Sequence, residues 1–465
     1  MKLLSRIISA VLVLCALGIL VFGPRANQSI PADRRGDVVV EYWEKWVGPE
    51  ADGIQQIVSD FNDTVGRQKH IYVQCMSMSN ITQKTLTAIA GGMPPDVAGL
   101  WHDVVLQFAA LDAVEPLEKM AADHGITADS YKPVYWNACH YNGHLYALVS
   151  TPGAVALFYN TRLFHENADK LRRAGLDPDR PPRTLEELDR YAAALNTFVV
   201  DSHGRRHLDQ AGYLPMEPGW YITNTPIWFG TDVWEENAGR FVFTDPRVVR
   251  ACQWIQGYSL RLGAEAVNEF TSQSDIKGGF ATPQNAFIAG KVVMEQQGPW
   301  MANYIHHLRP QMDHDWAAAP FPSAVAQQDV TFCPFDALMI PKGAKHKREA
   351  FEFIAYVNRQ DVMEKLCKLH CKNSPLARVS DDFLHHHPNP YIGVFEELAR
   401  SPNAHGPIQC PIAQEAGSQF QAAIQGLVSA GRAMQPAEAM ALLEQDMQAK
   451  WESYLQEQRI RREKQ

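Results

Sequence analysis

Residues Tyr146–Leu188 read YALVSTPGAVALFYNTRLFHENADKLRRAGLDPDRPPRTLEEL, and they already outline an α/β protein. Val155–Tyr159 is an unbroken apolar run, the pattern of a short strand buried on both faces. Asn160-Thr161 then turns the chain into a helix. Thr184 with Glu187 three positions on forms a capping box, and Leu185, Leu188, Tyr191, Ala192 and Leu195 supply one buried helical face.

The same alternation runs toward the N-terminus. Val38–Trp43 is β-rich and short, and Pro49 after Gly48 suits the first helical position. Ile54, Ile57, Val58 and Phe61 then fall at i, i+3, i+4 and i+7, one stripe of a helix. Ile71–Cys75 predicts a second strand, roughly Asn80–Ala90 a helix closed by Gly91-Gly92, and Asp96–Trp101 a third strand. A βαβαβ order calls for a mostly parallel sheet with helices on both faces. Toward the C-terminus, Asp201–Arg206 reads as a polar turn. Gly212–Phe229 is dense in aromatics and prolines, which a plain surface loop does not need. Helices are predicted at Arg247–Leu262, Lys347–Asn358, Gln360–Leu369 and Pro436–Gln456.

With 465 residues, 46% of them hydrophobic, the chain can bury a large core, most economically in two lobes. Its net charge of −9 argues against a nucleic-acid or anionic-lipid partner, and the basic tail Arg459–Lys464 reads as a solvated helix end. At the start, Lys2 and Arg6 precede the apolar run Ile7–Phe22. Pro24 obstructs cleavage and no small residue precedes Cys15, so a retained anchor over 1–26 is favoured over a removed signal. Gln28–Asp37 then serves as a tether. Either way the remainder is exported.

Of eight cysteines, seven lie beyond Cys15, an odd number that rules out full pairing within the chain. Most read as small core residues. A zinc site can be drawn from Cys367, Cys371, His370 and His385–His387, but its spacing matches no established pattern. No cofactor or metal is expected.

Three segments in fixed order carry a resemblance: GGMPPDV at Gly91–Val97, the stretch quoted above, and GKVVMEQQGPW at Gly290–Trp300. Together they resemble the sugar-type family 1 of extracellular solute-binding proteins, which deliver ligands to ABC importers, from about Val38 to about Leu455. The resemblance implies the two-lobed periplasmic-binding-protein fold of type 2, each lobe a mixed, mostly parallel sheet flanked by helices, with three hinge crossings. Matching motifs places the crossings near Gly153–Val155, Lys291–Glu295 and Phe332–Asp336. One lobe then holds 37–153 and 295–332, the other 155–290 and 336–458, with a tail at 459–465. Many maltooligosaccharide-binding relatives carry an acidic residue where this chain has Gly153, and a glycine pair where it has Pro334-Phe335-Asp336. A maltose-like specificity is therefore not carried over.

Open parallel sheets bind ligands at the carboxyl ends of their strands, and those ends are aromatic here. The first strand runs into Trp43, Glu44 and Trp46, and the third into Trp101 and Asp103. The aromatic loop adds Trp220 and Trp228, and Trp300 follows Gly298-Pro299. With Asp336 at a hinge, these nine residues are the expected ligand contacts. Sugars present a C–H face that an indole can meet and a hydroxyl rim that carboxylates can bond. Trp254, Trp316 and Trp451 read as core. Asp96 reads as a turn residue.

No HExxH, GxSxG, P-loop or GxGxxG motif is present, so no catalytic constellation stands out. The expectation is a non-catalytic monomer that captures a saccharide or polyol and docks on ABC permease subunits. A sensor presenting ligand to a membrane receptor and a secreted carbohydrate-active enzyme are the alternatives.

Overall fold

A computed structural model describes residues 30–274, 279–325 and 328–463. The expected anchor at 1–26 lies outside the described residues, and no helix among the described residues is long and apolar enough to cross a membrane. Ten strands form two five-stranded sheets: β1 Val38–Glu44, β2 Ile71–Ser77, β3 Val97–Trp101, β4 Leu148–Pro152, β5 Ala156–Asn160, β6 Thr197–Val200, β7 Arg206–Tyr213, β8 Val292–Gln297, β9 Trp316–Ala319 and β10 Phe335–Met339. The first sheet runs β2-β1-β3-β10-β4 and the second β9-β5-β8-β7-β6.

Strand alternation sets the first sheet. Val40, Tyr42 and Glu44 turn inward while Glu41 is exposed. The helix Pro49–Asp63 covers this side with Ile54, Ile57, Val58 and Phe61, all buried. Each such side chain contributes roughly 1.5–3 kcal/mol on burial. β1 pairs parallel with β2 and β3, whereas β10 pairs antiparallel with β3 and β4. In the second sheet only the β8–β7 pairing is parallel. Both sheets are thus mixed, and the parallel pattern read from Val38–Trp101 stops at the strand that returns from the other lobe.

β5 is an interior strand, between β9 and β8, as its unbroken apolar run requires, and buries both faces. Phe158 stacks on Trp316 with ring centroids 5.1 Å apart, while Leu157 joins the core of the second lobe. Asn160 caps the following helix by accepting from Leu163 N at 2.9 Å. Thr184 accepts from Glu187 N at 3.0 Å, but the Glu187 carboxylate reaches Arg183 N and Arg180 rather than closing the box on Thr184.

The chain leaves the first sheet at Gly153–Val155 and re-enters it after Phe332. These two crossings lie side by side: Gly153 N donates to Pro334 O at 2.8 Å and Val155 N to Phe332 O at 2.9 Å. The expected crossing at Lys291–Glu295 is instead interior strand β8, whose Val292, Val293 and Met294 are fully buried. A run buried on both faces belongs inside a sheet, not at a hinge. The third passage falls between the helix Gln360–Leu369, packed on the first lobe, and Ala413–Ala430, packed on the helix Pro246–Leu262 of the second.

The expected division of the chain is corrected accordingly. β9, expected in the first lobe, pairs with β5 in the second sheet. β10 and the helices Lys347–Val357 and Gln360–Leu369, expected in the second lobe, build the first, while Ala413–Ala430 and Pro436–Glu463 pack in the second. The helix Pro436–Glu463 carries Arg459 and Arg461 of the expected tail.

Candidate functional site

Between the lobes lies a cavity of about 770 Å³. Trp46, just past β1, and Trp101, at the end of β3, wall it from the first lobe; their indoles meet edge-to-face at 5.0 Å. From the second lobe come Trp220, Tyr221 and Trp300. Trp220 packs on Phe280 at 4.3 Å, and Phe280 on Tyr304 at 4.8 Å, so one aromatic wall is continuous. Trp101 and Trp220 keep 40% and 47% of their surface exposed, which leaves indole free to meet a ligand.

The polar groups converge on Asp336. Its Oδ2 accepts from Trp46 Nε1 at 3.2 Å, Lys372 Nζ at 3.0 Å and the Thr151 hydroxyl. Its Oδ1 lies 3.3 Å from Lys45 Nζ. Burial alone would raise this carboxyl, yet the Lys372 and Lys45 ammoniums, with Thr151, hold it well below the usual carboxylate range. Burial pushes Asp232, on the opposite wall, up to about 6. His102 is lowered by burial, and its Nδ1 sits 3.2 Å from Phe335 O. One Asp103 oxygen is buried without a hydrogen-bond partner. Flat rings beside unspent acceptors can hold a molecule with an apolar face and a polar rim.

A family model described as bacterial extracellular solute-binding protein matches residues 56–375, more than half the chain. The chain belongs to this family. Among curated solute-binding relatives, the sn-glycerol-3-phosphate-binding periplasmic protein UgpB of Salmonella typhimurium is 23% identical over 205 residues, 43% of each chain. That of Pectobacterium atrosepticum is 24% identical over 228 residues, 47% of this chain and 48% of the relative. The chain thus matches less than half the length of these relatives. Solved solute-binding structures share its fold. CpMnBP1 with mannotriose bound has a TM-score of 0.73 at 24% identity, covering 88% of this chain and 99% of that one. The sugar-binding protein MalE of Xanthomonas citri has a TM-score of 0.70 at 20% identity, covering 92% and 100%.

In this solute-binding protein Trp46, Trp101, Asp103, Trp220, Trp300 and Asp336 line one cleft, and the other three expected residues do not. Glu44 is turned inward, accepting from Tyr42 OH and from Lys45 N at 2.7 Å. β1 continues through it, so alternation points it beneath the sheet against Gly99. Trp43 occupies the other face and packs against the first core. Trp228 is fully buried, donating to Val330 O at 3.0 Å. It shares a buried row with Ile222 and Thr225 in a 3₁₀ segment, where positions three apart eclipse.

Lys45, Lys372, Thr151, Phe280 and Tyr304 were missed. Lys45 could have been found, because it stands inside the Trp-Glu-Lys-Trp run at a strand end. Lys372 carries no such signal. The sketched zinc ligands are used elsewhere: His370 Nε2 bonds Glu50 O and His387 Nε2 bonds Lys372 O. Among the described residues no three His, Cys, Asp or Glu side chains are grouped to hold a metal.

Proposed function

We propose that this protein captures a carbohydrate in the interlobe cleft, closes on it, and hands it unaltered to the permease of an ABC importer. It acts outside the cytoplasmic membrane as a monomer, held there by the apolar segment 1–26. The carrying observation is the set of four indoles, two from each lobe, around polar groups in a 770 Å³ cleft. Indole faces complement sugar C–H surfaces, and rings on both lobes reward closure, so ligand shifts the population to the closed form. The names of the solved neighbours, which speak of mannotriose and of a sugar-binding MalE, support a saccharide.

The test is a thermal-shift screen against neutral mono- and oligosaccharides, with products followed by reducing-sugar release. At 100-fold excess over Kd a ligand stabilises by about 2.7 kcal/mol. Stabilisation without new reducing ends is the expected result; sugar cleavage would overturn the carrier role.

A further inference from the structure

Asp336 spends its carboxylate on the protein's own donors: Trp46 Nε1, Lys372 Nζ and the Thr151 hydroxyl on one oxygen, Lys45 Nζ on the other. Both ammoniums are almost wholly buried, with 3% and 4% of the Lys372 and Lys45 side chains exposed. Lys45 has a second carboxylate partner, Glu44, at 3.3 Å. Two cations therefore face two carboxylates, and the cluster is internally neutral.

The same ammoniums brace the aromatic walls. Lys45 Nζ lies 4.6 Å from the Trp101 ring, and Lys372 Nζ lies 4.8 Å from Trp46 and 5.4 Å from Trp300. Among the described residues lining the cleft, Lys372 is the single lysine or arginine, whereas Glu50, Asp103, Asp232 and Asp336 supply carboxyl groups. A phosphate entering this space would lose its water, find no unpaired ammonium, and meet acids.

We infer that this compensated cluster makes the cleft accept uncharged polyhydroxylated ligands and reject phosphorylated ones, with Asp336 as the positioning residue that neutralises Lys45 and Lys372 and fixes the Trp46 indole. The inference deepens the carbohydrate reading and rests on it for the neutral ligand. It sets this chain apart from the curated relatives named for sn-glycerol 3-phosphate. Removing the Asp336 charge leaves Lys45 its Glu44 partner but takes from Lys372 the carboxylate it is paired with, and an anion becomes the missing counter-charge.

The experiment is calorimetric titration of the unmodified protein, Asp336→Asn and Asp336→Glu. Mannobiose, maltose and glycerol serve as neutral probes, sn-glycerol 3-phosphate and inorganic phosphate as anionic ones. The unmodified protein and Asp336→Glu are expected to reject both anions. Asp336→Asn is expected to bind a neutral saccharide about tenfold more weakly while gaining at least about tenfold for an anion, a gain that fades with added salt. A purely structural role would weaken everything alike, and that result would overturn the inference. Should Asp336→Asn fail to fold, the unmodified protein decides: sn-glycerol 3-phosphate binding within tenfold of the best neutral probe refutes the inference, and its rejection supports it. If no neutral probe binds yet Asp336→Asn gains an anion, the carbohydrate reading fails and the role of the cluster stands.

Discussion

The indole of Trp300 occupies the space that Gly153 leaves by lacking a β-carbon, since one placed there would come within 2.6 Å of Trp300 Cζ3. Gly298 stands in the same relation to the ring, at 2.2 Å. A residue of the second lobe is thus seated on the backbone of a crossing between the lobes, with its remaining surface lining the cleft. An acidic side chain at this crossing, which the resemblance led one to look for, has no room.

Gly153→Ala should therefore push the indole out of its seat. We expect an affinity loss on the order of tenfold and a stability cost of about 1–3 kcal/mol from overpacking. In a Trp300→Ala background the affinity loss should vanish, because the two changes act through one contact. A double-mutant cycle by calorimetry checks this, and additive losses would contradict it.

Trp228 and Trp101 should separate stability from binding. Trp228→Ala empties a filled site in the second core and should cost about 3–5 kcal/mol of unfolding free energy. Trp101→Ala should change stability by less than about 1 kcal/mol and act on ligand affinity. Denaturant melts of the two variants, read beside ligand titrations, decide the point.

Lys132 and Glu396 form an ion pair at 2.9 Å with each side chain 1% exposed. Burial lowers the Lys132 ammonium, with Glu396 opposing the shift. Glu396→Leu alone strands the buried Lys132 charge and should cost about 3–5 kcal/mol. Lys132→Met should cost less, because Arg400 Nη1 still reaches Glu396 at 3.1 Å, and the two changes together should recover most of the loss. Equal losses in the single and paired variants would argue against the pair acting as a unit.

Acid should weaken the fold through two buried histidines. Burial, with Lys372 adding to it at the first, pushes His370 to about 3 and His387 to about 4. Both rings are held neutral in the fold, while the unfolded chain takes up protons below about pH 6.5. Stability is therefore fully present above that pH and falls as the pH drops toward 4. At pH 5 each ring accounts for about 2 kcal/mol. Urea melts at pH 7 and pH 5 measure the slope, and His370→Asn should flatten it.

Much of this was legible, for reasons that also explain the errors. Trp46 and Trp101 follow from one rule, that the carboxyl ends of parallel strands face the ligand crevice. Glu44 and Trp43 were misread because β1 runs one residue further than its apolar stretch, and side-chain parity then decides which way each points. Trp228 was misread because a 3₁₀ turn buries every third residue, a periodicity hidden among aromatics. The swapped placement of β9 and β10 followed from taking an interior strand for a hinge. Lys45 and Lys372 meet at Asp336 and over the Trp46 ring, and no local pattern announces a contact between residues so far apart in the chain.

The central claim is that indoles on both lobes grip an uncharged sugar. Calorimetric titration of the strongest-binding neutral saccharide into the unmodified protein and into Trp46→Ala/Trp300→Ala puts it to the most direct test. We predict that the double variant, still folded by circular dichroism, loses at least about 2 kcal/mol of binding free energy. Undiminished affinity in that variant would contradict the account.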